Sequence, residues 1–221
     1  MIHWSPARAA TLRLHYELLS ARWPDGTENA GSGDITLGGA GRVWSGAAIH
    51  PALPEVWVDW TAKLPNASDQ SDTASATDTT GGDVVDGPRE YGLGTDETDV
   101  SAGGVLRWRL DPGAPLTVMA GGSLLILGNP LMYANQDDAA RLTLLAEAEL
   151  GPVAPFLRAE ARLESPRNPA DIRAALGGEW RGEIGLRAGA EGRLGLTPAA
   201  ADWGASAWFG YAWGCPDCED D

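Results

Sequence analysis

Along most of this chain apolar and polar side chains alternate with a period of two, in segments of about ten residues. The alternation is sharpest late in the sequence. In 154–165 one phase is Phe156, Arg158, Glu160, Arg162 and Glu164, and the other is Leu157, Ala159, Ala161 and Leu163. In 171–180 Asp171, Arg173, Ala175, Gly177 and Glu179 oppose Ile172, Ala174, Leu176, Gly178 and Trp180. In 183–196 Glu183, Arg187, Glu191 and Arg193 oppose Ile184, Leu186, Ala188, Ala190 and Leu194. Every charge in these three segments falls on one face. A helical spacing of three and four would instead scatter Arg and Glu through the apolar stripe. The pattern therefore predicts strands.

Earlier segments follow the same rule. Residues 10–22 set Leu12, Leu14, Tyr16 and Leu18 against Arg13, His15 and Glu17. Residues 34–44 set Ile35, Leu37 and Val43 against Asp34, Thr36 and Arg42, and residues 54–64 set Val56, Val58, Trp60 and Leu64 against Glu55, Asp59 and Lys63. Residues 98–110 and 139–150 alternate likewise, while 116–127 is apolar on both faces and reads as a strand with little polarity on its inner side. A last strand at 203–213 sets Trp203, Phe209, Tyr211 and Trp213 against Gly204, Ser206 and Gly210. That gives about ten strands, an even number, each near the length a tilted strand needs to cross a bilayer.

The links carry a second regularity. Tight turns at 111–115, 151–153 and 181–182 alternate with longer links at 65–97, 128–138, 166–170 and 197–202, and the turn at 45–53 is longer than its place in the series predicts. Outer-membrane barrels have short periplasmic turns and longer external loops, and here both termini fall on the short-turn side. Trp23, Trp44, Trp57, Trp108, Trp180, Trp203 and Trp213 lie close to segment ends. An interfacial girdle of indoles is the expected explanation. A soluble β-sandwich whose inner faces hold the apolar phase is the alternative.

Composition agrees. Gly stands at 29 of 221 residues and Trp at 10 against 2 Phe, a mix suited to curved strands, turns and interface-seeking aromatics. A formal net charge of −15 argues against a nucleic-acid partner. No apolar run is long enough for a transmembrane helix, and the opening Met1-Ile2-His3-Trp4-Ser5-Pro6 lacks the basic-then-apolar pattern of a signal peptide.

Several short motifs resemble an outer-membrane porin-like transporter family named for the meta-pathway of phenol degradation. They are Gly33-Asp34-Ile35-Thr36-Leu37-Gly38, Ala62-Lys63-Leu64-Pro65 before a long loop, Gly92-Leu93-Gly94-Thr95-Asp96-Glu97-Thr98-Asp99, Leu127-Gly128-Asn129-Pro130, and a Gly-rich final hairpin ending in aromatics. The resemblance spans 33–213 and implies an outer-membrane barrel passing small hydrophobic or aromatic compounds. Members of that family begin with a signal peptide, usually have further N-terminal strands, and tend to finish on an aromatic residue; here Trp213 is followed by an acidic tail.

Candidate chemistry is confined to charge. If the polar phase faces inward, Arg141, Glu147, Glu149, Arg158, Glu160, Arg162, Arg173, Glu179, Glu183, Arg187, Glu191 and Arg193 share the interior. The expected lumen-lining set is Arg158, Glu160, Arg162, Arg173, Glu179, Arg187, Glu191 and Arg193, with Arg158, Arg162, Arg187 and Arg193 first in line for a constriction. Barrels of about eight strands are filled by side chains and aqueous porins have about sixteen to eighteen, so ten or twelve allow only a narrow passage that Arg–Glu pairs are able to close. The carboxylates of 65–97 lack the spacing of a calcium loop and are expected to be solvated. Cys215 and Cys218 form a lone pair without further ligands. His3, His15 and His50 lie away from the external loops, and neither Gly-x-Ser-x-Gly nor a phosphate-binding loop occurs, so no enzyme, cofactor or metal is expected. His15 reads as a structural residue facing the lumen.

The expected architecture is an all-β, antiparallel up-and-down transmembrane barrel of about ten strands, with a truncated twelve-stranded barrel as the alternative. Residues 1–213 would form one barrel domain with an external loop at 65–97, and 214–221 an acidic tail. The expected partners are the outer-membrane bilayer and a small solute. The competing functions are a non-conducting structural or surface-interaction barrel, and a soluble secreted β-sandwich or lectin-like binding module.

Overall fold

Period-two segments of β-branched, aromatic and glycine residues satisfy their backbone groups by pairing with neighbours, and here the pairing runs full circle. The computed structural model describes residues 10–22, 28–46, 48–50, 52–64, 98–111, 114–126, 139–163, 170–182, 185–198 and 200–214. They form ten strands: β1 (Ala10–Arg22), β2 (Glu28–Ser45), β3 (Glu55–Leu64), β4 (Asp99–Asp111), β5 (Ala114–Ile126), β6 (Ala139–Ala148), β7 (Val153–Leu163), β8 (Asp171–Arg181), β9 (Leu186–Gly195) and β10 (Trp203–Gly214). Each pairs antiparallel with its neighbour in sequence, and β1 closes on β10 in a register running from Thr11–Gly214 to Arg22–Trp203. Closure leaves no edge among the described strands, so neither two stacked sheets nor a twelve-stranded wall describes this sheet.

Each predicted segment is a strand, and the boundaries move where local chemistry intervenes. β2 begins well before Asp34, because Ala30, Gly31 and Ser32 continue the ladder with β1 beyond a bulge between Tyr16 and Leu18. A second bulge, between Arg42 and Trp44, shifts the phase of β2 so that Trp44 pairs with Val56 and faces outward. β9 begins at Leu186, after Gly185 takes a φ of 87° that other residues rarely adopt. The 46–54 turn is long because it folds on itself: the Gly46 carbonyl accepts from the N–H groups of Ile49 and His50, and Gly46 N–H donates to Pro54 O at 3.0 Å. His50 serves that turn, its Nδ1 accepting from Ala52 N–H at 3.2 Å.

Strand bounds keep the alternation of links from β3 onward, and the 46–54 turn, longer than the 23–27 link opposite it, is the exception. On the side of both termini they are 46–54, 112–113, 149–152 and 182–185; on the other they are 23–27, 65–98, 127–138, 164–170 and 196–202. The 65–97 segment, Glu183, Ile184 and the tail with Cys215 and Cys218 lie outside the described residues.

Inside and outside are inverted relative to a water-soluble protein. One phase of each strand leaves large apolar side chains bare, as with Leu14, Val58, Leu106, Leu124, Leu144, Leu157, Leu176, Leu194 and Phe209. The opposite phase buries charged and hydroxyl side chains, Glu55, Ser101, Arg107, Thr117, Glu147, Asp171, Glu191 and Ser206, alongside a few apolar ones such as Trp57, Leu125 and Phe156. On the outer face Trp44, Trp108 and Trp180 gather toward the end bearing the termini, and Trp203 sits at the other. Trp57 departs from the expected girdle. It points inward at 6% exposure and donates from Nε1 to Glu55 Oε2 at 3.1 Å, because residues 55 and 57 share the inner phase of β3.

Candidate functional site: the charged interior

Charges on the inner phase meet partners on adjacent strands and, in several pairs, by reaching over an intervening strand. Near the end bearing the termini, a chain of ion pairs starts on β2, where Arg42 meets Glu55 of β3 at 3.0 Å. Glu55 also lies 3.8 Å from Arg107 of β4, whose other terminal nitrogen is 3.7 Å from Glu149, just beyond β6. Glu149 faces Arg181 of β8 at 3.9 Å, and Arg181 donates to Glu147 at 2.6 Å and to Glu179 at 2.8 Å. Arg187 of β9 ends the chain, donating to Glu179 at 2.5 Å. Arginine suits this task, since its planar fork serves several carboxylates at once.

A second chain crosses the interior from β7 to β1. Arg158 donates to Glu191 of β9 at 2.5 Å. Glu191 is also bonded by Arg193, which donates onward to Glu17 of β1 and to Ser206 Oγ at 2.9 Å. The crossing depends on small residues in between. β8 offers Ala175 and Gly177 in its inner phase, Ala175 opposite Arg158 and Arg193, and Gly177 opposite Phe156 and Glu191. A Cβ on Gly177 would lie 2.5 Å from the Ala190 carbonyl oxygen, 2.6 Å from Phe156 Cζ and 2.7 Å from Glu191 Cβ. Glycine is thus what lets the aromatic ring and the carboxylate share that space.

Beside this chain stands an aromatic group. Phe156 and Trp208 have ring centroids 6.1 Å apart, and His15 meets Trp208 edge-on at 5.9 Å. His15 Nε2 has no hydrogen-bond partner among the described residues, in keeping with a ring packed against indole. Nearer the other end, Lys63 of β3 pairs with Asp34 of β2 at 3.4 Å and with Asp99 of β4, and Thr61 and Ser101 share a 2.6 Å hydrogen bond.

The structure gathers the eight residues anticipated from the pattern into groups. Arg158, Glu191 and Arg193 form the crossing chain, and Glu179 and Arg187 belong to the chain nearer the termini. Arg173 pairs with Asp171 along β8, Glu160 lies 3.6 Å from Arg141, and Arg162 stands in register between Arg141 and Asp171. Sequence reasoning passed over Arg181, which looked like a turn residue, and over Arg42, Glu55, Arg107 and Glu17, whose segments are less regularly charged. It also passed over Trp208, whose place in the glycine-and-serine phase of β10 was the available signal. Among the described residues, no group of three or more His, Cys, Asp or Glu is placed to hold a metal ion.

The interior nearly balances its charges, so the acidic excess lies elsewhere. Segment 65–97 holds Asp69, Asp72, Asp78, Asp83, Asp86, Glu90, Asp96 and Glu97 against Arg89, and the tail adds Asp217, Glu219, Asp220 and Asp221.

No family model matches the chain, and no curated protein matches it in sequence. The fold does have solved counterparts. An outer-membrane channel from Pseudomonas putida F1 is similar in structure with a TM-score of 0.54 and 10% sequence identity, over 95% of this chain and 97% of that one. OmpT, an outer-membrane protein of Vibrio cholerae in its in-vitro folded trimer form, aligns with a TM-score of 0.29 and 10% identity, over 93% of this chain and 100% of that one. The first likeness establishes the barrel fold; the phenol-pathway resemblance drawn from the turn motifs has no matching family model.

Proposed function

We propose that the chain is an outer-membrane β-barrel channel that passes small solutes through a narrow, charge-lined interior. The observation that carries this reading is the inversion of the wall: leucines bare on the outside, glutamates and arginines buried within. Hydrocarbon has no polar groups to satisfy a backbone, so closed strands with an apolar exterior are suited to it. Ten residues at about 3.3 Å each, tilted by about 40°, span about 25 Å, the height of the apolar band of such barrels. The Pseudomonas putida channel of similar fold supports a transport role. In this reading 65–97 is an external loop, 214–221 a periplasmic tail, and Arg158, Glu160, Arg162, Arg173, Glu179, Arg187, Glu191 and Arg193 line the lumen.

The ion-pair chains favour a second reading, a barrel filled and non-conducting. At mid-height the pairs Arg158–Glu191 and Arg193–Glu17 lie on the β7-to-β1 side, whereas the inner phase of β2 to β5 there holds Gly38, Ala40, Thr61, Gly103, Gly121 and Ser123, which is why a passage along that wall is preferred. Phe156 and Trp208 offer contacts to the aromatic cargo that the family resemblance implies, but they stand among Arg158, Glu191 and Arg193. Small hydrated solutes therefore suit the interior best. Planar bilayers containing the purified barrel test the choice: discrete ohmic steps are expected, and silence at every voltage favours the filled barrel.

A further inference from the structure

Resting on the channel reading, we infer that ion selectivity is set by Arg13 and Asp59 rather than by the Arg/Glu chains. Among the described residues, these are the two inner-wall charges that carry no ion pair, while the charges of β6 to β9 are held by partners. A paired charge presents a permeant ion with a compensated dipole; an unpaired one presents its full field.

Their placement is as telling as their lack of partners. Arg13 of β1 is in register with Gly38 of β2, which is in register with Thr61 of β3. One row along, Ala40 of β2 pairs with Asp59, which pairs with Gly103 of β4, and Gly103 pairs with Ser123 of β5. The two charges thus flank β2 on a stretch of wall made of Gly38, Ala40, Thr61, Gly103 and Ser123, whose side chains are short. Arg13 keeps an exposed side chain on the inner phase while the barrel wall surrounds it on all sides, so it stands free within the enclosed interior rather than on the outer surface. Arg181, Arg187, Glu179 and Glu147 are within electrostatic range of Arg13, but they are bound to one another. Asp59 feels Arg13 and Arg141 without a bridge to either. An anion following this wall meets Arg13, and a cation meets Asp59.

The test is the reversal potential of the barrel in planar bilayers under a potassium chloride gradient. Arg13→Gln is expected to raise the potassium-to-chloride permeability ratio at least about fourfold, the worth of one charge about 5 Å from an ion in water. Asp59→Asn is expected to lower it by a similar factor, and Arg13→Lys to restore the parent ratio. Heat-modifiable migration on gels establishes that each variant is folded. If folded, conducting Arg13→Gln and Asp59→Asn barrels keep the parent ratio, the inference is overturned while the channel reading stands. A parent barrel that passes no current overturns both.

Discussion

Leu176 sits at the middle of β8, on the outer face, with 68% of its surface uncovered by protein. In a bilayer that surface meets hydrocarbon near the midplane; in a water-soluble protein it would meet water. Replacing it with arginine separates the two settings. An arginine at the midplane of a barrel wall costs about 2–4 kcal/mol. Losing the two-thirds of a leucine that lipid would cover costs about 1–2 kcal/mol more. The sum, about 3–6 kcal/mol, is a large part of the 5–15 kcal/mol typical of folded proteins. Leu186 faces outward too but is the first residue of β9, near the headgroups, where arginine costs only about 0–1 kcal/mol. Guanidinium titration of the barrel in phospholipid vesicles, followed by tryptophan fluorescence, reads both variants. Leu176→Arg is expected to lose several kcal/mol or fail to insert, and Leu186→Arg to stay close to the parent. Equal and small effects at both positions, as expected for an exposed site in water, would refute the lipid-facing assignment.

Glu191→Gln leaves Arg158 and Arg193 without their shared carboxylate, and the same titration should show a loss of about 2–3 kcal/mol, below the cost in a dry core because both guanidiniums keep some contact with water. Gly177→Val drives side-chain atoms into the Ala190 carbonyl, Phe156 and Glu191, with an expected cost of about 1–3 kcal/mol, whereas a neutral outcome would mean that the β8–β9 ladder and Phe156 both shift to make room. Among single-tryptophan variants, those keeping Trp180 or Trp44 should be quenched by brominated lipid, and those keeping Trp57 or Trp208 should not; quenching of Trp57 would contradict its inward placement.

Strand positions were legible because a strand's side chains alternate strictly, so a single buried face imprints itself on the sequence. The late segments, with every charge in one phase, located β7 and β8 to within a residue or two. What escaped were features that break the period. The bulge at Arg42–Trp44 changes which residues face outward, and only the register with β3 reveals it. Trp57 looked like a girdle residue from its nearness to a strand end, yet its phase and its bond to Glu55 place it within. Pairing is a property of closure. Arg158 reaches Glu191 over β8, and Arg193 reaches Glu17 over β10, and no spacing along the chain encodes such meetings. For the same reason the pattern named Arg158, Arg187 and Arg193 but could not tell paired charges from Arg13.

A cysteine scan along β8, with Cys215 and Cys218 replaced by serine and a fluorophore placed at each position from 171 to 181, probes the wall itself. In vesicles containing a lipid-borne nitroxide, labels at 172, 174, 176, 178 and 180 should be quenched, and labels at the odd-numbered positions should be spared. Quenching without a period of two, or folded protein that remains dispersed in buffer without detergent, would contradict a wall with hydrocarbon on one side and paired charges on the other.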